Sequence, residues 1–196
     1  MSASVPEMLL VELYNQCKFA IQAHASAYSA LDRFGQAPMD TFGPGRRYQR
    51  EVFRNLHSLV AHAANLSSAL WPPEDAEAAV RDRADRLREV LELSEDDHVL
   101  RRLGSAPDPG PYHDRLHRWI EAHEAGGGYL DHIASSAERL PDLEAEQRIR
   151  TFDPSRRELV LWGQTVRVGE VTEAIKRLCL RLEELLADVD AIRSRH

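Results

Sequence analysis

The chain has 196 residues, 43% of them hydrophobic and 29% charged, with a formal net charge of −7. That length and apolar content fit a globular protein with one sizeable core or two small ones. The acidic balance excludes a general polyanion-binding surface, because sequence-independent affinity for nucleic acid comes from neutralising phosphates; it leaves room for a local basic patch only.

The opening residues (MSASVPEMLLVELYNQ) carry no basic segment and reach Glu7 and Glu12 before any long apolar run, so they do not read as a signal peptide. No stretch is apolar enough to span a bilayer, and a cytoplasmic location is expected. The two cysteines, Cys17 and Cys179, are distant in sequence and sit on or beside apolar helical faces. They read as small buried hydrophobes of a reducing compartment rather than as a disulfide.

From Pro6 to Phe34, the residues Leu10, Tyr14, Cys17, Ile21, His24, Tyr28 and Leu31 step by four and three, which predicts a long amphipathic helix with a heptad-like seam. Alanines at 20, 23, 25, 27 and 30 thin its second half, allowing a close antiparallel neighbour. Gln36 to Gly45 is a turn-rich connection. The central helix follows from Arg46 to Pro73, and within it Asn55 to Pro73 contains no acidic residue, lysine or arginine. In so charged a chain, such a segment is expected to be enclosed on most sides. Its apolar line is Val52, Leu56, Leu59, Ala63, Leu66 and Leu70.

Glu74 to Asp97 holds ten acids against four arginines and reads as a solvated outer helix with Val80, Ala84, Leu87 and Leu91 inward. Glu77 with Arg81, and Asp82 with Arg86, are spaced as i,i+4 ion pairs. A short helix is expected from Ser94 to about Leu103, another from Tyr112 to Ala125 closed by Gly126 to Gly128, and a further short one within Tyr129 to Leu140. After Gln147 the period changes. Asp153-Pro154-Ser155-Arg156-Arg157 is a turn, Glu158 to Trp162 a strand, Gly163-Gln164 a two-residue hairpin loop and Thr165 to Val168 the returning strand. Val171, Ile175, Leu178, Leu182, Leu185, Val189 and Ile192 predict a final helix from Glu170 to about Arg193. The expected fold is all-α: one domain over residues 1–196, a bundle of four main helices plus an outer helix, with a β-hairpin appendage at about 148–168.

Several groupings could carry chemistry. His113, His117 and Glu121 share one helical face at i, i+4 and i+8, a spacing a divalent metal can use, and Glu95-x-x-His98 resembles a carboxylate-bundle pair. One line of donors on one helix rarely closes a coordination sphere, so the solvated-face reading is preferred and neither a metal nor another cofactor is expected. His24, His62 and Asn65 are read as buried polar groups that brace helices. Arg46, Arg47, Arg50 and Arg54 gather at the start of the central helix against Glu51 alone, a basic stripe suited to RNA.

Arg118 to His123 (RWIEAH) gives Arg-x4-His on the helix after the Pro-rich break. This arrangement resembles the HEPN superfamily, and the segment His62 to Pro72, that helix, and the Asp153-Pro154 hairpin with its following helix look like bacterial helical proteins associated with it. The resemblance implies a compact helical bundle, usually a homodimer, acting as a metal-independent ribonuclease or toxin. Arg118 would steady charge on the scissile phosphate, and His123 would serve as acid or base toward a ribose 2′-hydroxyl or leaving oxygen. Five residues turn a helix by about 140 degrees, so the two side chains meet only across a dimer cleft. Trp119 departs from the small polar residue that active members commonly carry after the arginine. A non-catalytic interaction or dimerisation module is the alternative, and a metal-binding bundle the third reading.

Overall fold

The computed structural model describes residues 6–37, 44–93, 99–104, 120–121, 129–134 and 148–193. Among them lie the helices α1 (Glu7–Gln36), α2 (Pro44–Leu70), α3 (Ala78–Val90), α4 (Val99–Gly104) and α5 (Val168–Arg193). The strands are β1 (Tyr129–Ile133), β2 (Arg148–Asp153), β3 (Glu158–Leu161) and β4 (Gln164–Arg167). Helix accounts for 74% of the described residues, but the strands make a four-stranded mixed sheet, so the all-α expectation is corrected to a mostly helical protein with a sheet. The chain divides into two compact units, Met1–Ser105 with Glu170–His196, and Ala106–Gly169. No helix among the described residues is long and apolar enough to cross a membrane.

The helical unit is organised on α2, against which α1, α3 and α4 pack. Its buried residues Gly45, Gln49, Val52, Leu56, Leu59, Ala63, Leu66 and Leu70 step by four and three without a break. The six apolar positions that the spacing predicts are all fully buried. Each leucine so enclosed contributes roughly 2 kcal/mol. Enclosure of the charge-free run is incomplete: Ala61, Asn65 and Ser68 are exposed, in line with Arg50 and Arg54.

On α1 the seam lies about one position from the expected line. Leu10, Leu13, Cys17, Ala20, Ala23, Ala27 and Ala30 are buried, while Tyr14, Ile21, His24, Tyr28 and Leu31 are half-buried. The alanine side is the thin one, so it permits the closest backbone approach, and the larger side chains are displaced to its flanks. In the same unit, α5 buries Val171, Ala174, Ile175, Leu178, Cys179 and Leu182. It meets α1 through Glu183, which accepts a hydrogen bond from Tyr14 at 3.0 Å and lies 3.6 Å from the Lys18 ammonium.

Helix ends are closed by specific bonds. The Trp71 N–H donates to the Ser67 carbonyl at 2.7 Å, and Pro72 and Pro73 have no N–H with which to continue α2. The Arg88 guanidinium donates to the Leu70 carbonyl, satisfying an orphan acceptor at the negative end of the α2 dipole, and to Asp85. α3 ends with the Glu92 N–H on the Glu89 carbonyl, the Leu93 N–H on the Arg88 carbonyl, and Glu92 left-handed at φ 56. Glycine would adopt that φ without strain, but Glu92 uses its carboxylate to accept a bond from Arg181 of α5 at 2.5 Å. The expected pairs Glu77–Arg81 and Asp82–Arg86 are absent among the described ion pairs, and Arg81 donates to the Glu74 carbonyl at 2.9 Å.

In the sheet unit the strand order is β1-β2-β3-β4, with β1 and β2 parallel and the other pairs antiparallel. Ile133, Phe152, Leu159 and Val166 stand opposite one another across all four strands, and each is buried. That row holds the sheet's apolar side together. The helix expected within Tyr129 to Leu140 is corrected over its first five residues to β1, because a parallel partner reached through a crossover supplies the ladder. The hairpin loop is Trp162-Gly163, not Gly163-Gln164: Leu161 pairs with Gln164, and Trp162 and Gly163 have φ 53 and 80. Two consecutive positive φ values give the turn whose twist matches the flanking strands.

Candidate nucleic-acid interface

Four arginines at the start of a helix oppose its dipole and need compensation. Arg46 donates to Oε1 of the buried Gln49 at 3.0 Å, and Arg47 meets Glu51 at 3.1 Å one turn on. Arg50 and Arg54 are exposed and make no hydrogen bond or ion pair among the described residues. One turn apart on one face, they are the two cations of the stripe with no anion beside them among the described residues.

Further along α2 the polar residues face α1. His62 Nδ1 lies 2.7 Å from Gln16 Oε1, and Asn65 Nδ2 donates to the same oxygen at 3.1 Å. Gln16 Nε2 in turn donates to Glu12 at 2.7 Å. The amide cannot be reversed without setting its NH2 against the Asn65 donor and its oxygen against the Glu12 carboxylate, so the oxygen faces His62. An oxygen there accepts from Nδ1–H, which places the imidazole in the tautomer with Nε2 as acceptor. The Phe19 ring stands 5.4 Å from the His62 ring and is 53% exposed.

The expectation that His24, His62 and Asn65 are buried is corrected at this point, since His24 and His62 are half-buried and Asn65 is exposed, although His62 and Asn65 do tie α2 to α1 through Gln16. His62 and Asn65 are on the flank of α2 next to α1, where water reaches them, and His24 packs on Tyr28 with ring centres 4.6 Å apart. The sequence alone assigns no role to Gln16 or Phe19, and none at this site to Glu12. The i,i+4 spacing of Glu12 and Gln16 was the available signal, but without knowledge of what α2 places opposite them it reads as ordinary helix surface.

Arg118 and His123 lie outside the described residues, as do His113 and His117. Glu121 is described, helical and exposed. Among the described residues no group of three or more His, Cys, Asp or Glu side chains is placed to hold a metal. Cys17 and Cys179 are free and buried. Burial pushes the Cys17 thiol up, and the neighbouring Cys179 adds to this; Cys179 is raised by burial and by Glu183, against Lys18. Thiols so raised carry little thiolate and are poor nucleophiles. Comparison with protein-family models, curated proteins and solved structures finds no match for this chain.

Proposed function

We propose that this chain is an RNA-acting, HEPN-like helical protein of the bacterial cytoplasm that works as a homodimer. Arg50 and Arg54 hold phosphates, and Arg118 and His123 of facing protomers cut the ribose-phosphate backbone without a metal. The observation that carries the reading is the pair of exposed arginines without acidic partners among the described residues, on a chain whose overall charge is negative. A basic pair on an acidic protein has a local electrostatic use, and single-stranded RNA supplies phosphates at a spacing that successive helical turns can follow.

Two measurements test the reading. Arg50→Ala/Arg54→Ala should lower affinity for a short single-stranded RNA at least tenfold at low salt and reduce the logarithmic salt slope by about 1.4. Unchanged binding and slope would remove the arginines from the interface. Purified protein incubated with total RNA under chelator should degrade it, and His123→Ala should not; cleavage that survives the substitution rules out the catalytic assignment. The alternative, a non-catalytic interaction module, is favoured by the outward apolar residues Met8, Val11 and Phe19 on α1. It predicts dimers by light scattering with no RNA affinity.

A further inference from the structure

The hydrogen-bond chain from Glu12 through Gln16 to His62 does more than brace two helices. A bracing histidine needs only one ring nitrogen bonded, which leaves the other able to donate or accept. Here Gln16 fixes Nδ1 as the donor, while Nε2 makes no bond among the described residues. Ala61 and Asn65, close to His62 in sequence on α2, are both exposed. Beside it stands Phe19, an aromatic ring exposed by half and held against the imidazole rather than folded into the core. Arg54, two helical turns before His62 on α2, lies about 12 Å away along the axis.

The geometry points to a ribonucleotide-reading site. A base of single-stranded RNA stacks on the outer face of Phe19, and the 2′-hydroxyl of its ribose donates to Nε2 of His62. Phosphates on the 5′ or 3′ side run toward Arg54. Stacking accepts every base, whereas the 2′-hydroxyl is the one group that tells RNA from DNA, so the site gives sugar selectivity without sequence selectivity. Gln16 is a positioning residue, and Glu12 and Asn65 fix its amide. The inference rests on the RNA reading above but on different residues from those that hold phosphate or cut.

The test compares matched uridine and deoxyuridine 12-mers on the full-length chain at pH 8, in a His123→Ala background so that no substrate is cut. The parent should bind the RNA roughly fivefold to tenfold more tightly than the DNA, the worth of one hydrogen bond. His62→Ala should bring RNA affinity down to that of the DNA and leave DNA affinity unchanged, and Phe19→Ala should weaken both alike. Nitrogen NMR of the unsubstituted ring adds a readout that needs no folding of a variant: the Nε2 resonance of His62 should shift with the RNA 12-mer and stay in place with the DNA. Sugar selectivity that survives His62→Ala, or an Nε2 resonance indifferent to RNA, overturns the ribose site while leaving arginine-dependent RNA binding intact. No binding of either oligonucleotide overturns this inference and the RNA reading together.

Discussion

The two compact units are held by different kinds of interaction. In the helical unit, stability is spread over a long periodic line on α2, where six apolar residues are closed off from water and no single polar contact sets the geometry. In the sheet unit the strands are four to six residues long, and much of the register is set at two turns. Asp153 accepts from the Ser155 N–H, the Ser155 hydroxyl and the Arg156 N–H, Arg157 turns left-handed at φ 55, and Trp162-Gly163 closes the second hairpin. A periodic core tolerates a weakened contact because its neighbours share the load. A turn has no such neighbours, so its chemistry is concentrated in one or two side chains.

The sharpest way to break that comparison is a charge in the periodic line. Leu66→Asp places a carboxylate where the side chain is fully buried and no partner is described, and the cost, at least about 4 kcal/mol, is comparable to the whole stability of a domain. Loss of cooperative melting and of most helical circular dichroism is expected. A native-like melt would show that the line is not a core.

A smaller effect is expected at Asp153. Burial raises its carboxyl, but the bonds from the Ser155 hydroxyl and the Arg156 and Ser155 N–H groups, with the Arg156 charge, outweigh it and hold the group below its ordinary value. A carboxyl depressed in the folded state contributes stability that is present above its unfolded value near 4 and is lost as pH falls through the lower folded value. Hydrogen exchange at the Ser155 and Arg156 amides should therefore gain protection relative to Asp153→Ala at pH 6, and the two proteins should converge as the solution is acidified below about 4. The substitution should cost about 1 kcal/mol at neutral pH. Equal exchange at pH 6 would show that the turn is set by backbone alone.

The same contrast explains what was legible in the sequence. The α2 line was readable because helical spacing is local: Val52 to Leu70 display it without reference to any other segment. On α1 the alanines at 20, 23, 27 and 30 announced a close neighbour and are buried, but the heptad-like seam was drawn through the larger Tyr14, Ile21 and Tyr28, which the close approach displaces to its flanks. β1 was unreadable for a related reason. Five residues are too few to show a period, and the partner that makes Tyr129 to Ile133 a strand is β2, beyond a crossover. At the candidate interface the arginines could be named in advance, but which of them are neutralised depends on where Gln49 and Glu51 point. The His62 network needed α1 and α2 brought together before Gln16 acquired any meaning.

The smallest expected effect comes from Ser67, which is fully buried on α2 and whose hydroxyl finds no hydrogen-bond partner among the described residues. A hydroxyl taken out of water without an acceptor costs free energy, and removing it leaves the neighbouring apolar contacts nearly as they were. Ser67→Ala should hold or raise stability, by up to about 1 kcal/mol, where most buried substitutions lower it. Denaturant unfolding reads the difference as a higher midpoint with an unchanged slope. A clear fall in the midpoint would mean that the Ser67 hydroxyl is bonded after all, to a water or to a residue outside those described, and that the periodic core of α2 contains a polar tie like those that set the sheet.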